Sequence, residues 1–157
     1  MANMEHFVQR GEEVKEKWNE GVQKANEIGQ EIGEVKEGLS DMPGGLDDDI
    51  LEQIRAAKEQ ARQEARADMD SSVKSDILEK ADSEAAGIEG DTKEKINEND
   101  RARARLQSIR GKYGSDAISS VDSSLERNTQ QGQELISDLD RSGQAARANI
   151  DKIQSDI

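Results

Sequence analysis

Few side chains in this sequence have the types and spacing that catalysis or metal binding requires. His6 is the only histidine and there is no cysteine, so a catalytic triad would have one possible base, near a chain end that we expect to fray. The acidic run at 47–49 lacks the spaced oxygen ligands and the glycine of a calcium loop, and it indicates the start of a helix. The sequence contains no phosphate-binding or dinucleotide-binding glycine motif. We therefore expect no enzyme activity, no cofactor and no metal site.

The one local concentration of positive charge contains Arg101, Arg103 and Arg105. The patch lies close to the predicted end of a helix, where cations complement the helix dipole, and it could also clamp acidic helices within the chain. The alternative is a docking site for an acidic partner. The three arginines are therefore candidate partner-binding residues.

Composition limits the classes of partner. The formal net charge is −13, which disfavours nucleic acid and anionic membrane surfaces, since both attract basic proteins. No apolar run approaches the roughly twenty residues of a membrane span, and the N-terminus lacks the layout of a cleaved signal peptide. We expect a soluble protein, cytoplasmic before any export, that reaches the outside without a cleaved signal peptide if it is secreted.

The elements that must carry any function are long helices. In the first forty residues, apolar or small side chains recur at alternating steps of three and four, as in the packing seam of a coiled coil. With 2% aromatic and 32% hydrophobic residues, the chain can fill thin seams between helices but not a thick core. The seam positions are Met4, Phe7, Gly11, Val14, Trp18, Gly21, Ala25, Ile28, Ile32, Val35 and Leu39.

Turn signals divide the chain at Pro43 and its two following glycines, and again at Gly111 to Gly114. Gly87 and Gly90 form a weaker signal, which either breaks a helix or is tolerated within it. We predict an all-α fold: an elongated antiparallel bundle of three or four long helices, arranged as coiled-coil-like hairpins in one unit over 1–157, which we expect to belong to a longer protein. The predicted helices span about 3–40, 46–86, 91–110 and 115–157, and the middle two are either separate or continuous.

Amphipathic helices, a Gly-rich turn, an acidic balance and the lack of cysteine together resemble the helical modules of bacterial type VII secretion. These are the small WXG-type proteins and the LXG-type N-terminal domains of polymorphic toxins. The segment Trp18-Asn19-Glu20-Gly21 has one residue more than the Trp-x-Gly motif, and Tyr113-Gly114-Ser115-Asp116 is one residue shorter than Tyr-x-x-x-Asp/Glu. The resemblance implies a non-enzymatic delivery domain that pairs with another helical protein and precedes a toxin.

The leading functional hypothesis is a non-catalytic helical interaction module, serving as a targeting, secretion or chaperone-docking domain. Its partner is another helical protein or a second copy of the chain, and not nucleic acid or a small-molecule substrate. One alternative is a structural coiled-coil spacer or homo-oligomer, and another is a conditionally disordered, hydration-type protein. The residues predicted to form the docking surface are Phe7, Val14, Trp18, Ile28 and Ile32.

Overall fold

The fold is all-α, as the sequence predicts. A computed structural model of the chain describes residues 4–40 and 44–157, and this part contains helices and no strand. The α-helices and the π-helical segment that follows α2 are α1 (Glu5–Ser40), α2 (Asp48–Asp68), the π-helix Met69–Leu78, α3 (Glu79–Ile109) and α4 (Ser115–Asp156).

The start of α2 shows how local chemistry sets a helix boundary. Asp47 has extended backbone angles, and its side chain accepts a hydrogen bond of 2.9 Å from the backbone N–H of Ile50. Gly45 precedes it with a φ of 85°, a conformation that favours glycine. Pro43, at which the sequence predicts the turn, lies outside the described residues.

The π-helix follows from an unusual apolar spacing. At 3.6 residues per turn, each step of four overshoots a full turn by about 40°, so the apolar stripe winds around an α-helix. A π-helical turn contains more residues, and a step of four then falls short of a full turn. The π-helical segment therefore offsets the drift and buries Met69 and Val73. The residues concerned, spaced by four, are Ala57, Ala61, Ala65, Met69, Val73, Ile77, Ala81 and Ala85.

The helix continues through Gly87 and Gly90, so of the two arrangements left open the continuous one is observed. The glycines cost about 1 kcal/mol each relative to alanine. Burial on the neighbouring turns opposes that cost, because Ile88 is 1% exposed and Thr92 is fully buried. The hydroxyl of Thr92 donates to the backbone oxygen of Ile88 at 2.6 Å, so it is not left unpaired.

Internal contacts divide the chain into two compact units. Unit 1 comprises Met1–Lys15 and Asp82–Ser142. In it, α3 and α4 run antiparallel, since Asn99 donates to Asn128 (2.8 Å) while the later residue Arg103 donates to the earlier residue Asp122 (2.8 Å). Its apolar core contains Met4, Val14, Ile88, Ile118, Leu125, Leu135 and Leu139.

Unit 2 comprises Glu16–Ala81 and Gly143–Ile157. Here the segment formed by α2 and the π-helix runs antiparallel to α4, since Lys74 lies 3.5 Å from Asp151 while the earlier residue Asp70 accepts a hydrogen bond from the later residue Gln154. Its core contains Trp18, Ala25, Ile28, Ile32, Met69, Val73, Leu78, Ala81, Ala146, Ile150 and Ile157.

Candidate functional site

Four of the five residues predicted to form the docking surface lie inside the chain. Val14, Trp18, Ile28 and Ile32 are 1–6% exposed, and Phe7 is half-buried. The heptad that suggested a partner surface is therefore largely occupied by the chain's own helices. Val14 and Trp18 reach an external partner only if the helices separate, whereas Ile28 and Ile32, each 6% exposed, present a small part of their surface to a groove between α1 and α2.

Trp18 shows what closes the seam. A Cβ atom placed on Gly143 of α4 would lie 2.9 Å from Cζ2 and 3.1 Å from Cη2 of the Trp18 ring, so the ring packs directly on the α4 backbone. Glycine at this position is what allows so close an approach. The small residue that admits the Trp18 ring therefore lies on α4 and not on α1.

The three arginines of the basic patch have different surroundings. Arg103 bonds Asp122 of α4 through Nε (2.8 Å) and a terminal nitrogen (3.3 Å), and it lies 3.9 Å from Glu126. This hydrogen bond lowers the pKa of the Asp122 carboxyl and raises the pKa of Arg103. Arg101 donates to the backbone oxygen of Asn97 at 3.4 Å, and Arg105 is exposed. Arg103 therefore serves as a clamp between α3 and α4.

Among the described residues, three exposed large apolar side chains lie on α2 and the last turns of α1. All of α2 is described, and none of its residues is buried. Ile50 is 38% exposed, Leu51 42% and, in α1, Val35 44%. Ile50 and Ile54 have the four-residue spacing that favours a buried seam, but Ile50 is exposed and Ile54 is only half-buried.

Ile50 and Ile54 are incompletely covered because α2 extends past the end of α1. The last residue of α1, Ser40, accepts a hydrogen bond of 2.8 Å from the Lys58 side chain of α2. Because the two helices run in opposite directions from this point, the first turns of α2 extend past the end of α1. The seam of α2 is therefore longer than the helix that covers it, a mismatch that apolar spacing alone does not reveal.

A groove of about 300 Å³ joins these exposed residues to the core of unit 2. Ala61 and Ala65 of α2 form one wall, and Ile28, Ile32 and Val35 of α1 form the other. Ile50, Ile54 and Ala57 continue the α2 wall, since steps of three and four keep side chains on one face of a helix. We name this continuous apolar region the α1–α2 surface; it consists of Ile28, Ile32, Val35, Ile50, Ile54, Ala57, Ala61 and Ala65.

The charged residues of the groove are all acidic. Glu31 on α1 and Glu64 and Asp68 on α2 line it, and among residues 4–40 and 44–157 no lysine, arginine or histidine does. Glu64 accepts a hydrogen bond from the amide of Gln60 (3.2 Å), and Asp68 accepts one from the hydroxyl of Ser72 (2.6 Å). These donors are neutral, so they leave the negative charge of the two carboxylates in place.

The basic residues near this end of unit 2 point elsewhere. Lys36 and Arg62 both donate to the backbone oxygen of Ile157, at 2.7 and 3.0 Å. Arg62 follows Ala61 directly and is therefore displaced by about 100° around α2 from that groove residue. The α4 side of α2 is thus distinct from the side that faces the groove.

Within residues 4–40 and 44–157, no group of three or more His, Asp or Glu side chains is arranged to hold a metal ion. None of the described helices combines the length and apolar character needed to cross a membrane. Comparison with known protein families, curated proteins and solved structures finds no match to this chain.

Proposed function

We propose that this chain is a non-catalytic helical interaction module that binds another protein through the α1–α2 surface. The observation that supports the proposal is an amphipathic helix, α2, whose apolar stripe the other described helices cover only in part. Contiguous apolar surface on a soluble helix is typical of docking sites for other proteins.

Covering the exposed apolar side chains contributes a modest part of the binding free energy. Fully burying an aliphatic side chain stabilises a complex by about 1.5–3 kcal/mol. Val35 and Ile50 are each about two-fifths exposed, so covering the remainder contributes about 1 kcal/mol per residue. Ile54 is half-buried and adds a similar or smaller amount. A total of about 3 kcal/mol is weaker than a millimolar complex on its own, so a specific complex also requires polar and charged contacts beside the groove.

The resemblance to type VII secretion modules extends the proposal to a targeting or chaperone-docking domain of a bacterial secreted toxin. In that role the α1–α2 surface contacts a second helical protein before or during export. The support consists of the all-α fold and the uncovered helix face.

Site-specific photocrosslinking tests the interaction proposal. A photoreactive phenylalanine analogue replaces Ile54 in the full chain, in cells that naturally produce the protein. Glu52 provides the matched control, because it is exposed and lies on the opposite face of α2. We expect a crosslink to one defined protein from position 54 only, a complex that reforms from the two purified proteins, and loss of that complex with Ile54→Glu.

Two outcomes contradict the proposal. Equal crosslinking from positions 52 and 54, or none from either, shows that the α1–α2 surface has no protein partner. A crosslink from position 54 only to a second copy of the chain, with a concentration-dependent dimer in sedimentation velocity, supports the homo-oligomer or spacer alternative instead.

A further inference from the structure

We infer that the occupant of the α1–α2 surface is a basic amphipathic α-helix, with an apolar face on the groove and lysine or arginine on its flanks. This inference rests on the proposed function and specifies the chemistry of the partner. It follows from the shape of the surface, from the sign of the charges beside it and from where the basic residues of unit 2 are engaged.

The shape of the surface fits a helix. From Ile50 to Ala65 the apolar wall of α2 runs for about 22 Å, or about four helical turns, at 1.5 Å per residue. Ala57, Ala61 and Ala65 have short side chains, so a helix axis can approach α2 within the 8–10 Å of ordinary helix packing. An apolar helix face laid in a groove between two helices is an established mode of peptide recognition.

The negative charge beside the groove favours positive charge on the flanks of the partner helix. Glu31, Glu64 and Asp68 place negative charge on both walls, and the hydrogen bonds to Glu64 and Asp68 come from neutral groups. A helix with lysine or arginine next to its apolar stripe places these side chains beside the carboxylates. Acidic flanks are repelled at the same positions, and such like-charge contacts are costly at interfaces.

Three basic side chains near the groove are engaged away from its acidic lining. Lys58 donates to Ser40, and Arg62 and Lys36 donate to the backbone oxygen of Ile157. These contacts hold the three cations at the end of α1 and on the α4 side of α2. The charged residues that line the groove itself are Glu31, Glu64 and Asp68.

The same charges disfavour a second copy of the chain as occupant. Two copies that dock through this surface bring two acidic walls together, and each chain carries a formal net charge of −13. The α2 helix also begins with Asp47, Asp48 and Asp49, which add negative charge at one end of the surface. A partner of opposite charge avoids this repulsion.

Binding of synthetic peptides tests the inference. The probe is a fluorescently labelled peptide of about 20 residues, with leucine at helical spacing and lysine on both flanks. The first control peptide has glutamate in place of every lysine, and the second has the composition of the probe in a shuffled order with no apolar face. Fluorescence anisotropy gives each Kd with the full-length chain at low and moderate salt.

We expect the basic amphipathic peptide to bind at least tenfold more tightly than either control, with a Kd that rises with salt as the charges are screened. Glu31→Lys combined with Glu64→Lys should reverse the preference between the lysine and glutamate peptides. Glu52→Lys adds the same charge on the opposite face of α2 and should leave the preference in place. Ile54→Glu should weaken binding of the basic peptide at least tenfold.

The outcomes separate this inference from the proposed function. Tighter binding of the glutamate peptide, lost with Ile54→Glu, overturns the basic chemistry but retains the docking surface. If the shuffled peptide binds as tightly as the amphipathic basic peptide, the attraction is non-specific and the inference is overturned. The same holds if Glu52→Lys changes the preference as much as Glu31→Lys combined with Glu64→Lys. Absence of binding by every peptide also overturns it, and the crosslink from position 54 then decides whether the proposed function stands.

Discussion

Replacing Gly143 by alanine should destabilise the protein relative to a matched glycine-to-alanine change elsewhere in unit 2. In a helix, this substitution normally stabilises by about 0.5–1 kcal/mol, because glycine loses more backbone freedom on folding. At Gly143, however, the new methyl carbon lies 2.9 Å from the Trp18 ring, a distance that forces a shift. Trp18 is 4% exposed and its ring is rigid, so the adjustment resembles overpacking of a core, which costs about 1–3 kcal/mol.

Gly33 provides the matched control. It is helical and half-buried, and apart from its chain neighbours and the nearby backbone of α1 no described heavy atom lies within 4 Å of a Cβ placed there. The helix-propensity gain is common to both variants, so the difference between Gly33→Ala and Gly143→Ala measures the contact with Trp18. We expect that difference to be about 1–3 kcal/mol in free energy of unfolding. Each kcal/mol corresponds to about 2–4 °C in Tm for a chain of this size.

Thermal and urea unfolding, followed by circular dichroism and by the fluorescence of the single tryptophan, give the measurement. Gly33→Ala should raise Tm, while Gly143→Ala should lower Tm relative to Gly33→Ala and alter the emission of Trp18. If Gly143→Ala raises Tm as much as Gly33→Ala and leaves the emission unchanged, Trp18 does not pack on α4 and the reasoning fails.

Two further predictions concern a helix cap and an ion pair. Asp47→Ala should cost about 0.5–2 kcal/mol in thermal unfolding, because it removes the bond to the Ile50 N–H, whereas Asp47→Asn should retain most of the stability. Asp122→Asn should destabilise at neutral pH but not in acid, as measured by urea midpoints. The hydrogen bond from Arg103 lowers the pKa of Asp122 in the folded state. The ionised carboxylate therefore stabilises the fold above the unfolded pKa of about 3.9, and this stabilisation is lost as pH falls through the lower folded pKa. A difference in urea midpoint between the wild type and Asp122→Asn that does not change with pH would contradict this assignment.

The sequence predicts the seam of α1 well, because burial on a helix follows the period of the apolar residues. Val14, Trp18, Ile28 and Ile32 lie at alternating steps of three and four, and all four are buried. The same rule fails for Val121 of α4, which has seam spacing and is 42% exposed. The spacing of apolar residues indicates which residues share a helix face. It does not indicate whether another helix packs on that face at a given turn.

The candidate site could not be predicted from the sequence, because apolar spacing does not show where a neighbouring helix ends. Ile50 and Ile54 have the spacing of a seam, but their exposure depends on where α1 ends relative to α2, which the contact between Ser40 and Lys58 reveals. Arg103 was recognised as either a clamp or a docking residue, and only the position of Asp122 on the neighbouring helix distinguishes the two. Both questions concern the register between helices, which composition does not encode.

The π-helical segment Met69–Leu78 has a consequence for how this gene can change in length. Deleting one codon within an α-helix rotates every later side chain by about 100° and moves buried residues to the solvent. Within the π-helical segment, the loss of one residue can be absorbed as a wide turn tightens into an α-helical one. The long helix thus contains a short stretch where a one-codon deletion can leave the flanking apolar faces aligned.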